Sequence, residues 1–521
     1  MNTGLDTLDL DALPQNVRAV LLAEHAARIK LAEHARRLEH LLGEFKRALF
    51  GRKSEKINAD QFELTFEELE TALAEAEVGS GSATTGMHEE RDACAKPKVE
   101  VKRNLGRLPE GLPRIEQVIE PDDLQCPCGC GKLKKVGEDR TERLDIEPAR
   151  FQVIVTIRPK YASKCGGGIV QAPAPAYLIE GALPSEATIA HVLVSKYADH
   201  LPLYRQSQIF ARSGMDLHRS TLAGWVGRSA FHLRPVFERM AEHLKTSSKL
   251  FMDETTAPVL DPGRGETKTG YLWALGRDDR GWNGDDPPCV VFNYAPGRGG
   301  KYAERFLTGF NGILQVDGYS GYNRVTKRDR DGGEPVVLAY CWAHARRKLY
   351  DLSNSSDIAA EGLKRIVRLY AIEAEIRGQP PGERLAARQA RSAPLVEEFG
   401  LWLTQQRGRV SRKSRLGEKL NYIAERWDGL QIFLTDGRVE IDNNAVENTI
   451  RPIALGRKNA LFAGHDEGGR NWGLFASLIA TCKLNDVNPF NYLKTTLEAI
   501  ARGHPQSRID ELMPWAFHTS S

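Results

Sequence analysis

The sequence predicts a multidomain α+β/α chain: a mixed sheet interrupted by a helical insertion, with helical and small β-rich units ahead of it. Three observations lead there. The chain has 521 residues, 41% of them hydrophobic, which is too long for one ordinary domain and apolar enough for a sizeable core, so roughly three to five units are expected. Residues 249–350 carry short β-branched runs at strand spacing. Residues 351–438 are then charged and helical in pattern, and a capped helix follows near Asp442.

The formal net charge is only +3, so no overall field marks the partner; Lys and Arg collect locally instead. No apolar run approaches the roughly 18 residues needed to span a bilayer. The chain starts acidic and polar rather than with a basic-then-apolar signal segment, so a soluble cytoplasmic protein without a membrane partner is expected. Eight cysteines are too sparse for a disulfide scaffold.

Taken in order, residues 1–78 are an N-terminal helical or coiled-coil region, with helix expected over 14–50, where Leu31, Ala35, Leu38, Leu42, Phe45 and Leu49 recur at steps of four and three. That seam suits a coiled coil pairing two chains, or one amphipathic helix packed on its own protein. Residues 79–107 read as a flexible linker that turns basic toward its end. Residues 108–178 form a small β unit, with a strand expected over 150–158. Cys126, Cys128, Cys130 and Cys165 could hold one Zn2+ tetrahedrally or remain free thiols, since C-x-C-x-C followed by one lone cysteine is not the usual pair of C-x-x-C knuckles. Residues 179–248 are helical, and 203–213, Gly214 and 219–229 have helix-turn-helix proportions. Ile209, Leu217, Leu222 and Val226 would line its inside and His218, Arg219, Ser220 and Arg228 would face DNA; a plain helical hairpin has the same pattern.

The part from 249 to 350 reads as strands at 250–254, 271–276 and 289–294, a helix at 301–307, and strands at 312–317 and 336–340. That is the order of a ribonuclease-H-like mixed sheet. Residues 351–438 are the helical insertion, and 439–521 hold the closing helix, with Asp442 as its N-cap, and two further helices near 469–483 and 489–501.

Cutting and rejoining phosphodiesters requires charge compensation on a pentacovalent phosphate, which two Mg2+ ions about 4 Å apart provide. Mg2+ is hard and takes oxygen ligands, so the protein must supply carboxylates on rigid elements. Asp253 lies in the first strand and Asp317 ends the fourth, and those strands are neighbours in such a sheet. Glu447, on the closing helix, completes the trio with a longer arm. Glu254 alternates to the other face and is a poor ligand. Arg451 lies one turn beyond Glu447, suited to orienting it or holding a phosphate. With 69 acidic residues in the chain, other trios could be drawn, so periodicity alone does not select this one.

Motifs narrow the choice. Phe251-Met-Asp253-Glu-Thr, Val316-Asp317-Gly-Tyr-Ser-Gly-Tyr322, Cys341-Trp-Ala-His344-Ala-Arg-Arg-Lys348 and Asn443-Asn-Ala-Val-Glu447-Asn-Thr-Ile-Arg451-Pro452 resemble the DDE transposase of bacterial insertion-sequence family sixty-six. Phe50-Gly-Arg-Lys-Ser-Glu55, Arg158-Pro-Lys-Tyr-Ala162 and Lys483-Leu-Asn-Asp-Val-Asn-Pro489 are similar to it too, in the same order along the chain. The resemblance implies a ribonuclease-H-like catalytic domain, Asp253, Asp317 and Glu447 as its metal-binding carboxylates, and two Mg2+ ions for which Mn2+ can substitute. It implies a zinc-binding cysteine unit, although the family pattern has a cysteine where this chain has Ser163. The implied activity is binding of double-stranded DNA at terminal inverted repeats, cleavage at the element ends, and joining of the 3′-hydroxyl to target DNA. A homo-oligomer, small accessory proteins of the same element and a nucleoid-associated bacterial location go with it. The alternatives are a catalytically silent DNA-binding repressor and a nuclease that cuts without joining; the intact trio favours the enzyme over the repressor.

Other residues are assigned more loosely. Cys341-x-x-His344 has metal-pair spacing, but a buried cysteine beside a hydrogen-bonding histidine fits equally; His344 is expected beside the site or on DNA, with Arg347 on a phosphate. Arg457, Lys458 and Gly468-Gly-Arg470 are candidates for holding the flanking strand. Arg407, Arg409, Arg412, Lys413, Arg415 and Lys419 form a basic run that is either a solvated face or a backbone contact.

Overall fold

The computed structural model describes residues 151–162, 169–171, 173–179, 183–261, 266–330, 332–460 and 462–517. The heptad seam, the linker, Ser163 and the four cysteines at 126, 128, 130 and 165 lie outside the described residues. The chain divides into two units, residues 85–173 and the remainder.

In the first unit, β1 (Lys160–Ala162) pairs antiparallel with β2 (Ile169–Gln171). The strand expected over 150–158 is absent from its described part: residues 151–159 join no ladder, and Val153, Ile154, Val155 and Ile157 are 70–87% exposed. β-branched residues favour a strand only against a neighbour and a buried face. Neither is present for them among the described residues.

In the second unit, α1 (Glu186–Tyr197) is the first described helix and is capped by the Ser185 hydroxyl. α2 (Leu203–Arg212) follows, and Gly214, at φ +82°, makes the reversal that a side chain would resist. α3 (Arg219–Lys245) runs 27 residues, far past the short second helix expected, because Leu233, Val236, Met240 and Leu244 prolong its buried stripe. Leu222 and Val226 are buried as expected, joined by Phe210 and Trp225, while Ile209 and Leu217 are half-buried.

The central sheet is built from β3 (Lys249–Leu260), β4 (Thr267–Arg277), β5 (Cys289–Ala295), β6 (Ile313–Val316) and β7 (Val337–Tyr340), with α4 (Gly300–Phe306) between β5 and β6. Its order is β5-β4-β3-β6-β7; β5, β4 and β3 are antiparallel, and β3, β6 and β7 are parallel. β3 runs on through Pro258 past β6, which pairs only with its first residues; on that side the Pro258 carbonyl accepts the Ala463 N–H at 2.9 Å.

The insertion follows as α5 (Trp342–Tyr350), α6 (Asp357–Ile376), α7 (Pro381–Ala387), a π turn at Arg388–Ser392, α8 (Ala393–Arg409), α9 (Arg415–Glu425) and α10 (Trp427–Leu430). Its core of Trp342, Phe399, Trp402, Leu420 and Phe433 is continuous with Ala339 of β7. α11 (Asn444–Gly456), α12 (Asp466–Leu484) and α13 (Pro489–Ala501) close the chain. Val446, Ile450, Ile453 and Ala476 of α11 and α12 pack on Phe251, Leu272, Ala274 and Phe292 of the sheet. No described helix is long and apolar enough to cross a membrane.

Candidate active site

β3 and β6 pair in parallel with Phe251 opposite Gln315. Two residues further on, Asp253 and Asp317 are level on neighbouring strands, and the period of two puts them on the same face. Phe251 marks that face, since it packs on α11. Each aspartate is braced locally: Oδ1 of Asp253 accepts the Glu254 N–H at 2.7 Å, and Oδ1 of Asp317 accepts the Tyr319 N–H at 2.9 Å.

The segment leading into α11 is stitched to these two strands. The Gln315 amide donates to the carbonyls of Glu440 (2.9 Å) and Asp442 (3.3 Å) and accepts the Glu440 N–H (2.9 Å). Asn443, fully buried, donates to the Met252 carbonyl at 3.5 Å. α11 therefore starts beside the strand residues that precede Asp253 and Asp317. Its N-cap is Asn443 rather than Asp442; the Asp442 carboxylate instead accepts the Asn444 N–H at 3.2 Å.

Glu447 sits in the first turn of α11 and is 7% exposed. Its carboxylate lies with the Cys341 thiol and the His344 ring, all ligand atoms within 4.8 Å of one another. His344 Nδ1 is 3.9 Å from Glu447 Oε1. Among the described residues this is the metal-capable cluster of that tightness; Asp253, Asp317 and Glu447 do not close to it. The structure thus aligns the two aspartates and delivers the helix of the third acid, while the Glu447 carboxylate points into the Cys341–His344 corner.

Glu254 points away from Asp253, as its parity requires. Its side chain is 1% exposed, ion-paired to Arg298 at 2.6 Å and hydrogen-bonded by the Tyr322 hydroxyl. Burial, then the charge of Asp317, pushes its carboxyl up against the pull of those two partners. Arg298 stacks 4.1 Å over the Tyr319 ring, and the Tyr319 hydroxyl donates to the Arg298 carbonyl. On the other side of the Asp317 loop, Arg426 donates to the Gly318 carbonyl at 2.7 Å and lies 3.8 Å over the Tyr422 ring. A Cβ on Gly318 would collide with both Tyr422 and Arg426. Sequence reasoning missed Arg298, Tyr422 and Arg426; the Gly within the Asp317 motif was the one local signal of a close approach.

The other expected contacts are spread out. Arg451 and Arg347 are half-buried, and Lys458, Arg219 and Arg228 are exposed. Arg457 donates to the Thr256 carbonyl at 3.0 Å, tying the end of α11 to β3. In the basic run, Arg409, Arg412, Lys413 and Arg415 are exposed, whereas Arg407 bonds Asn421 and Lys419 pairs with Asp351.

Comparison with known proteins gives the class as transposase. Residues 181–471 match the transposase IS66 family, 477–515 the IS66 C-terminal element, 123–166 the zinc-finger binding domain of transposase IS66, and 37–116 the segment described as transposase C of IS166 homeodomain. The chain belongs to the IS66 transposase family. Among its relatives in Sinorhizobium fredii, the uncharacterized protein y4qI is 45% identical over 491 residues, covering 92% of this chain and 88% of the relative. The uncharacterized protein y4jD is 43% identical over 418 residues (79% and 82%), and the uncharacterized protein y4hP is 36% identical over 500 (93% and 89%).

Proposed function

We propose that the chain binds the terminal inverted repeats of an insertion sequence, cuts the DNA at the element ends and joins the 3′-hydroxyl to target DNA, using a ribonuclease-H-like catalytic domain. The observation that carries this reading is the placement of Asp253 in β3 and of Asp317 directly after β6, each two residues beyond the paired Phe251 and Gln315, with α11 anchored by Asn443 and Gln315 to the same strands. Strand order β5-β4-β3-β6-β7 supports the fold assignment.

The donor set fits Mg2+: hard oxygens on two rigid strands, with solvent access, since both aspartates are half-buried. Asp253 and Asp317 would hold the ions, and Glu447 would complete the set by swinging from His344. Bound Mg2+, or Mn2+ in its place, offsets charge on the pentacovalent phosphate and lowers the pKa of an attacking water. The protein's own groups do the positioning. The Asx turn at Asp317 and the Arg426 bond to Gly318 fix one aspartate. Arg451, one turn beyond Glu447, would hold a phosphate, and Arg347 and Lys458 would contact DNA as well. Arg219 and Arg228 on α3, and the exposed part of the 409–415 run, would grip the duplex through its backbone. Pairing of two ends through an N-terminal coiled coil, Zn2+ in the cysteine unit and accessory proteins of the element complete the proposal.

The test is strand transfer of end-containing DNA with Mg2+, comparing wild type with Asp253→Ala, Asp317→Ala and Glu447→Ala. Each variant is expected to lose cleavage and joining together while still shifting end DNA in a binding assay. Full activity in any one removes that residue from the site, and cleavage without joining in the wild type identifies a nuclease instead.

A further inference from the structure

We propose that Cys341, His344 and Glu447 form a binding site for one thiophilic divalent cation of the zinc class, distinct from the oxygen site of Asp253 and Asp317. The ligand atoms lie within 4.8 Å of one another, and His344 Nδ1 and Glu447 Oε1 are 3.9 Å apart. Zinc bonds of about 2.0–2.3 Å place ligand atoms roughly 3.3–3.8 Å from each other, so side-chain adjustment of about an ångström closes the set. A soft sulfur, a ring nitrogen and one carboxylate oxygen are zinc's ligands rather than magnesium's. Three protein ligands leave a fourth position open.

The corner is built on fixed backbone. Cys341 is the N-cap of α5 and His344 stands in that helix's first turn; Glu447 stands in the first turn of α11. The two helix starts are tied by the Trp342 N–H donating to the Ile441 carbonyl at 3.0 Å. The sulfur is held in place as well: the Asn443 N–H donates to Cys341 Sγ at 3.3 Å. Burial, with the charges of Glu447 and Asp442, pushes the thiol up; a coordinated cation overrides this, because a ligating thiol is deprotonated outright. The site stands independently of the strand-cutting reading but shares Glu447 with it, so an ion held here would draw Glu447 away from Asp253 and Asp317.

The probe is Co2+, whose thiolate charge-transfer absorption reports sulfur ligation, titrated into the full chain and displaced with Zn2+. Wild type is expected to bind one equivalent more than Cys341→Ser and than His344→Gln, and the difference spectrum should carry the near-ultraviolet sulfur band. The other cysteines are common to all variants and cancel in that difference. Asp253→Asn should keep the equivalent, which separates this site from the oxygen site whatever strand-transfer assays show. Equal Co2+ binding by wild type and His344→Gln overturns the proposal, as does a lost equivalent without a sulfur band. Circular dichroism checks that each variant is folded, and His344→Gln decides if Cys341→Ser is not.

Discussion

Glu440 and Asp442 stand two residues apart on the approach to α11, yet their carboxyls are driven in opposite directions. Burial acts upward on Glu440, but Arg384 grips both its oxygens at 2.9 and 2.8 Å, and with Lys249 this holds it below its ordinary value. Asp442 faces burial with one backbone N–H for relief and is pushed up to about 6. The difference extends to the regions on either side. In the insertion, buried acids have their own guanidinium: Arg388, fully buried, holds Glu373 through two bonds of 2.7 Å and also donates to the Phe433 carbonyl. At the sheet end, acids crowd together, and Glu254 is pushed up by burial and Asp317 despite Arg298. The buried acid of the insertion is held by guanidinium groups from the insertion itself. At the sheet end Glu254 and Asp317 stand close enough to act on one another.

The largest expected effect lies in the insertion. Arg388→Ala removes both short bonds to buried Glu373 and leaves it only Arg384, 3.5 Å away, and should destabilise by about 3–5 kcal/mol in urea unfolding; a loss under about 1 kcal/mol would show that Arg384 suffices for Glu373. On the crowded side the cost should appear in activity instead. Asp317→Asn should lower Mg2+-dependent strand transfer at least ~100-fold, about 2.7 kcal/mol in the barrier, with unfolding free energy unchanged or raised. A variant that is both active and less stable would reverse the contrast.

Asp442→Asn divides the two regions by pH. The folded carboxyl titrates near 6 against an ordinary 3.8, so folding carries no penalty below pH 3.8, a growing one between there and 6, and the full one above. Asparagine keeps the acceptor for Asn444 without the charge. It should stabilise by about 1–3 kcal/mol at pH 8 and by nothing measurable at pH 3.5; equal gains at both pH values would remove burial of charge as the cause. The smallest effect belongs to an exposed pair in the insertion. Arg391→Ala breaks the pair with Glu375 and should cost roughly 0.5 kcal/mol or less, vanishing in 1 M salt. A cost comparable to Arg388→Ala would mean that exposure, not pairing, had been misjudged.

The strands around the site were legible because β-branched runs such as Val-Val-Phe at 290–292 coincide with real pairing partners. The run at 150–158 has the same composition, and its described part has no ladder, since propensity cannot say whether a neighbour exists. Asp253 and Asp317 could be read from strand parity, and Glu447 only from its motif, because the intervening helices hide how far it returns. The basic and acidic residues of the insertion look alike in sequence; nothing local distinguishes Arg388, fully buried, from exposed Arg391. The corner of Cys341, His344 and Glu447 joins residues about a hundred positions apart, and spacing marked only its first two.

Gly318 accepts no side chain because Tyr422 and Arg426 of α9 and its end press on it, and Gly429 likewise lies against Tyr340 of β7. The insertion is therefore not a cassette that could be excised or transplanted. Trimming the gene between α5 and α11 would uncover Trp342 and release the loop that aims Asp317. A minimal version of this fold would have to redesign the far side of that loop before anything else.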